Sequence, residues 1–273
     1  MIPADLHMHS SFSSDSDAPM ERMIEAAIEA GLSYICFTEH EDYHYQDPTM
    51  FQLDPPRYWE KVTELKERYR DRIMVLRGVE LGISSDMFRE GEELLSAYPF
   101  DFVIGSKHLM DGGDPYDRSF WEGRDREALL HRWFSQMRDD IEAYPVFDSL
   151  GHLDYVARYM PGGIRAFDWK NYEEEICGIL KALIANDIAL EVNTNSFRYG
   201  TDQPHPQTGV IEKYLEMGGS LITIGSDAHA PERVAQEFSR TEKILAEIGI
   251  TQSVLYEGRH RIQLTFQAES DII

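Results

Sequence analysis

The sequence predicts a parallel α/β protein built as a barrel of about seven βα units. Strand-length apolar runs alternate along the chain with one-sided amphipathic helical patterns, and parallel strands require such crossover connections. Nearly every apolar run ends in His, Asp or Glu, and a barrel gathers all the C-terminal strand ends on one face. An open doubly wound sheet would give the same alternation; the placement of the polar residues favours the barrel. With 273 residues, 42% of them hydrophobic, the chain can bury an ample core, expected as one domain over 1–266 with 267–273 as a frayed tail.

Residues 4–9 read as a first short strand, and the Ser- and Asp-rich stretch 10–17 as a loop that ends at Pro19, a favoured first helical residue. Met20, Met23, Ile24, Ala27 and Ile28 then recur at helical spacing until Gly31, so these methionines belong to a core face. The run 34–38 is a strand ending in Glu39-His40-Glu41. Pro55-Pro56 opens a helix carrying Trp59, Val62, Leu65 and Tyr69, and the strand 73–79 follows, ending at Glu80.

A short helix over 90–98 precedes the buried strand 102–104, which closes with Gly105-Ser106-Lys107-His108. Residues 110–124 show no periodicity, and Tyr116, Phe120 and Trp121 suggest an ordered lid or rim. A long helix over 125–143 leads to a strand over 146–150 and then Gly151-His152. Helix 172–186, strand 188–192, helix 210–217 and strand 221–224 follow, the last ending in Gly225-Ser226-Asp227-Ala228-His229. Pro231 opens a helix expected to run to about 248, and 262–266 is read as an edge strand.

The net charge of -23 argues against a nucleic-acid surface, because phosphate backbones would be repelled; metals and cationic small molecules are the natural partners, although acidity also serves solubility. Residues 1–5 carry no basic or apolar leader pattern, and no apolar run approaches the ~20 residues that span a bilayer, so a cytoplasmic protein is expected. Cys36 and Cys177 lie in apolar stretches that suit reduced core thiols.

His7 and His9 fall on the same side of a strand and can face one ion, though a lone His-x-His can equally be a polar surface. The pattern gains weight from its repetition. Collected, the candidate ligands are His7, His9, Asp15, His40, Glu80, His108, His152, Asp227 and His229, which include six of the ten histidines. Imidazole and carboxylate without thiolate suit Zn, Mn or Fe. Nine ligands exceed the four to six positions of one ion, so two or three divalent metals are expected, with a carboxylate such as Glu80 bridging a pair. Clustered ions suit phosphoester hydrolysis: a hydroxide bridging two of them attacks phosphorus in line while the metals clamp the phosphoryl oxygens.

Asp5-Leu6-His7-Met8-His9-Ser10, Thr38-Glu39-His40, Gly78-Val79-Glu80, Gly105-Ser106-Lys107-His108, Gly151-His152 and Gly225-Ser226-Asp227-Ala228-His229 resemble the successive motifs of the polymerase and histidinol phosphatase (PHP) family. The resemblance implies a distorted (β/α)7 barrel, parallel strands around a metal site at the C-terminal mouth. Carried over by position, the first metal would take His7, His9, Glu80 and Asp227, the second Glu80, His108 and His152, and the third Asp15, His40 and His229. Some relatives have His where this chain has Asp15.

Within the family the chain most resembles the histidinol-phosphate phosphatases of histidine biosynthesis, through its length, Glu191-Val192-Asn193-Thr194-Asn195, Phe197-Arg198 and the aromatic segment after His108. A small, cationic phosphorylated substrate, L-histidinol phosphate, is therefore expected, with Asp227 or His229 shuttling the proton of the attacking water. Arg158 and Arg198 are placed to bind phosphate, with surface ion pairs as the alternative. His44 and His205 read first as surface histidines, but their loops put them near the same face, where they could contact substrate phosphate. His131 and His260 read as structural. Asp114, Asp117 and Glu122 could hold a substrate ammonium or simply solvate a loop.

Three rivals remain open at this level. A related phosphoesterase would act on nucleotides, oligonucleotide ends or phosphotyrosine, and charge disfavours the oligonucleotide. An amidohydrolase-type metal hydrolase also carries His-x-His on its first strand, but would want a lysine bridge or a single closing Asp rather than Asp227-Ala228-His229. A binding module without catalysis is disfavoured because every ligand position is filled.

Overall fold

The computed structural model describes residues 1–266; the expected tail at 267–273 lies outside them. Seven parallel strands, β1 (Ala4–Met8), β2 (Tyr34–Glu41), β3 (Met74–Gly82), β4 (Phe102–Ser106), β5 (Ser149–Leu150), β6 (Ala189–Asn193) and β7 (Ile222–Gly225), lie side by side in sequence order. A doubly wound sheet reverses its strand order midway. This one never does, and its two ends meet: His7 O accepts the amide of Asp227, and Ala228 O accepts that of His9, both at 2.8 Å. The expected (β/α)7 barrel is therefore the architecture.

Helices α1 (Met20–Glu29), α2 (Pro55–Tyr69), α3 (Phe88–Ala97), α4 (Arg118–Trp121), α5 (Arg126–Ala143), α6 (Glu173–Ala185), α7 (Thr208–Glu216) and α8 (Phe238–Glu247) fill the connections. Their apolar stripes dictate the packing: Met20, Met23, Ile24 and Ala27 of α1, and Tyr58, Val62, Leu65 and Tyr69 of α2, are the buried positions and join one continuous core. Asp54 caps α2 by accepting the Arg57 amide, with Pro55 and Pro56 in the first turn. Among the described residues no helix is long and apolar enough to cross a membrane.

Three elements depart from the sequence-based expectation. The strand expected over 146–150 pairs only at Ser149 and Leu150, because Val146 is held back in a turn by Tyr144 O. The helix expected from Pro231 to about 248 is broken: residues 231–233 form one 3-10 turn, and α8 starts at Phe238. Between them Ala235 and Glu237 adopt positive φ, and the Ala235 amide donates to the buried carboxylate of Asp5 at 3.0 Å, a bond that the continuous helix would forgo. The edge strand expected over 262–266 is half of an antiparallel hairpin, β8 (Gln252–Glu257) and β9 (His260–Thr265), separate from the barrel sheet.

That hairpin closes the barrel floor. Val254, Leu255, Tyr256 and Leu264 pack with Leu6, Cys36, Leu76, Phe102 and Ile104 in a second apolar cluster, and the Tyr256 ring stacks on Phe102 at 5.4 Å. The opposite, C-terminal end is left to polar side chains. A bulge in β1 makes the changeover: three steps from Asp5 to Met8 oppose two from Ile35 to Phe37, so Leu6 packs into the floor while His7 also reaches the site.

Candidate metal centre

Each strand end delivers its polar residue to one cluster. Glu80, fully buried on β3, is at its centre: Oε2 lies 3.3 Å from His7 Nε2, 3.5 Å from His9 Nε2 and 3.0 Å from His40 Nδ1. Its Oε1 lies 2.8 Å from His152 Nε2 and 3.3 Å from His108 Nε2, and accepts the Ser106 hydroxyl at 2.6 Å. Asp227 Oδ1 lies 3.6 Å from His9 Nε2 and 3.5 Å from His229 Nδ1. Asp15, a third exposed, reaches His229 Nε2 at 3.0 Å and His40 Nε2 at 3.7 Å.

The donor atoms fall into four overlapping groups, each mutually within 4.8 Å: His7, His9 and Asp227; His7, Glu80 and His152; His40, Glu80 and His108; and His9, His40 and His229. Eight of the nine residues expected from the sequence fall in these groups, with His9 grouped beside His40 and His229 as well as beside His7; Asp15, the ninth, reaches His229 and His40 from the rim. Buried atoms of this cluster lack hydrogen-bond partners: His7 Nε2, His9 Nε2, His152 Nδ1 and Glu80 Oε2. Stranding several polar atoms side by side costs roughly 1–3 kcal/mol each, whereas a divalent cation would satisfy them together. The donor set thus fits divalent metal ions.

The charges agree. Burial would raise the Glu80 carboxyl, but His7, His108 and His40 outweigh it and hold it well below the usual range. Asp227 is held low in the same way by His7 and Arg158. Burial opposes a charge on His108, yet Asp42 and Glu80 outweigh it and raise the ring to about 10. These carboxylates demand positive charge, which protons supply when metal does not.

A second ring of side chains orients the imidazoles. Glu191 on β6 lies 2.6 Å from His7 Nδ1 and accepts the His152 amide with its other oxygen at 2.7 Å. Asp42 lies 2.8 Å from His108 Nδ1, and Ser13, which donates to the buried Glu39, lies 3.2 Å from His9 Nδ1. Holding Nδ1 in this way leaves Nε2 of His7, His9 and His108 to face the centre. Asp42 and Ser13 carry no signal in the sequence beyond nearness to ligands, and Glu39 and Glu191 stood out only within family motifs.

The centre opens into a cavity of about 430 Å3. Arg158 and Arg198 both line it. Arg158 is buried; it donates through Nη2 to Asp227 Oδ2 at 3.0 Å and through Nε to His205 Nε2 at 3.0 Å, with the Tyr155 and Tyr199 rings at 5.2 and 5.8 Å. Arg198 is exposed and donates to Asn195 Oδ1 at 3.2 Å, while Asn195 donates to Asp227 Oδ2. Aromatic residues Tyr45, Phe51, Tyr116 and Tyr159 form the outer wall, so part of the segment 110–124 does border the cavity. Asp114 in that segment is buried and lines the cavity, where it accepts the Tyr45 hydroxyl.

Two expectations for substrate contact change. His44 is exposed on a left-handed turn and lines a neighbouring cavity with Tyr43 and Lys107, because the chain turns outward just beyond Asp42. His205 is fully buried rather than on the surface, and it meets Arg158 from behind, since residues 193 and 205 exchange backbone hydrogen bonds.

A parallel barrel with a cluster of histidines and carboxylates at its C-terminal mouth defines a class of metal-dependent hydrolases. The chain belongs to the PHP domain family, whose profile matches residues 5–195. It is 31% identical over 263 residues to the histidinol-phosphatase of Lactococcus lactis subsp. lactis (strain IL1403), an alignment covering 94% of this chain and 96% of that one. Among solved structures it is similar to the histidinol phosphate phosphatase of the same organism, crystallised with zinc, L-histidinol and phosphate, at a TM-score of 0.87 and 29% identity over 95% of this chain and 98% of that one. Membership of this family favours phosphoester hydrolysis over the amidohydrolase alternative.

Proposed function

We propose that the protein is a metal-dependent phosphomonoesterase that hydrolyses L-histidinol phosphate to L-histidinol and phosphate. The observation that carries this is a cluster of metal-type donors opening into a cavity that six of them line together with two arginines, in a chain similar along nearly its whole length to a phosphatase crystallised with both products. His7, His9 and Asp227, then Glu80, His108 and His152, and then His40, His229 and Asp15 would hold two or three ions, of zinc or alternatively manganese or iron. Such ions supply Lewis-acid activation of water and of the phosphoryl group.

The chain's own residues do the rest. Arg158 has Nε and Nη2 committed to His205 and Asp227, which leaves Nη1 to meet a non-bridging phosphoryl oxygen. Arg198, more exposed, contributes a second cation at the rim. Asp227 takes the proton of the attacking water and His229, 3.5 Å away and partly exposed, passes it to solvent. Burial pushes the Asp114 carboxyl up, and a substrate ammonium beside it would reverse that, so Asp114 selects a cationic alcohol portion. A cytoplasmic setting, in which Cys36 and Cys177 stay free thiols, completes the proposal.

The test is metal analysis of the purified protein together with phosphate release from L-histidinol phosphate, nucleoside monophosphates and a phosphotyrosine peptide. Bound divalent metal and a preference of at least about tenfold for L-histidinol phosphate are expected. Equal or faster release from a nucleotide would overturn the substrate assignment.

A further inference from the structure

Behind the cavity wall a buried chain of polar side chains runs from Asp154 to Asp227. Asp154 Oδ1 lies 2.6 Å from His205 Nδ1, His205 Nε2 lies 3.0 Å from Arg158 Nε, and Arg158 Nη2 lies 3.0 Å from Asp227 Oδ2. Each link fixes the next. A guanidinium can only donate, so His205 Nε2 must be a bare acceptor. The imidazole is then neutral with its proton on Nδ1, and the Asp154 carboxylate is the acceptor that receives it. The other oxygen of Asp154 accepts the Gln207 amide at 3.2 Å, so neither is free to turn away. Backbone bonds of 2.7 and 2.9 Å between Asn193 and His205 pin the ring to the end of β6.

Resting on the phosphatase proposal above, we infer that Asp154 and His205 are positioning residues that hold the Arg158 guanidinium in register for an oxyanion at the metal centre. An arginine left free would lose rotamer freedom on each binding event, whereas one already fixed along its Nε edge presents Nη1 without that loss. The two flanking tyrosine rings restrain the plane of the guanidinium, and the His205 bond restrains it at Nε.

The tautomer makes this testable with a nearly isosteric change. In Asp154→Asn a single amide oxygen faces two incoming donors, Gln207 N–H and His205 Nδ1–H. The conflict is relieved by moving the imidazole proton to Nε2, which then confronts the Arg158 Nε–H. The measurement is calorimetric titration of the metal-loaded protein with inorganic phosphate, at matched metal content, for wild type, Asp154→Asn, Arg158→Ala and the double variant. Asp154→Asn is expected to weaken phosphate binding at least about tenfold in the wild-type background and no more than about twofold in the Arg158→Ala background. His205→Gln, which keeps an acceptor near the Nε2 position, is expected to retain more affinity than His205→Leu. Equal weakening in both backgrounds, or none in either, would overturn the inference. Phosphate binding is read directly, so a wild type that fails to hydrolyse L-histidinol phosphate refutes the substrate and leaves this result standing.

Discussion

The carboxylate of Glu191 lies 2.6 Å from Nδ1 of His7, although the two residues are 184 positions apart. It fixes the ring so that Nε2 points at Glu80, and its second oxygen accepts the amide of His152, tying the ends of three strands together. Glu191→Gln keeps the size but removes the charge that makes His7 a stronger donor. About a 10- to 100-fold loss in metal affinity is expected, measured by competition with a chromophoric chelator. Unchanged affinity would show that Glu191 only packs.

Gly225 has no room for a side chain. A methyl there would lie 2.3 Å from His7 Cβ and 2.8 Å from Glu191 Oε1. Gly225→Ala is therefore expected to displace the first ligand together with its orienting carboxylate, costing about 1–3 kcal/mol in stability and most of the bound metal. Thermal unfolding and metal content report the two effects separately.

Asp114 offers a cut between metal chemistry and substrate choice. Its carboxylate is held by the Tyr45 hydroxyl at 3.1 Å and the Tyr116 amide at 2.8 Å rather than by a hydrogen bond to a ligand. Asp114→Asn is expected to raise KM for L-histidinol phosphate about tenfold while changing hydrolysis of 4-nitrophenyl phosphate less than about twofold. A parallel fall for both esters would place Asp114 in the metal machinery instead.

The floor of the barrel should respond to acid. Burial would raise the Asp101 carboxyl, but hydrogen bonds from Arg77 Nε and N at 3.0 Å and Lys66 Nζ at 3.1 Å outweigh it and lower it below the usual value. Asp101 also accepts the Gly258 amide from the hairpin. A depressed carboxyl stabilises the fold fully above its unfolded-state value near 4, and that contribution is lost as pH falls through the folded-state value. Asp101→Asn is expected to cost about 1–3 kcal/mol at neutral pH and to flatten the acid limb of stability against pH. Denaturant unfolding at pH 3–7 checks both.

Much of the architecture was legible because its signals are local. Alternation of apolar runs with helical stripes needs only neighbouring residues, and it located all seven barrel strands, though at β5 the pairing is confined to Ser149 and Leu150. Residue type at strand ends was similarly readable: imidazole and carboxylate recur at His7, His40, Glu80, His108, His152 and Asp227 because parallel winding returns each strand end to one mouth. Partners across the barrel were not readable. The hairpin that plugs the floor carries an ordinary strand pattern with nothing local to say that it leaves the sheet. The break before α8 depends on Asp5, some 230 residues away.

His44 and His205 show the same division. By type and loop position they were equivalent, yet one faces solvent on a left-handed turn and the other is sealed behind Arg158 by backbone bonds to the end of β6. The apolar period together with the residue types at the strand ends pointed to a barrel with a metal-type mouth. Which imidazole is oriented by which carboxylate, and which arginine is fixed between His205 and Asp227, was decided only by tertiary structure, since contacts between distant residues depend on register and barrel closure that no short window of sequence encodes.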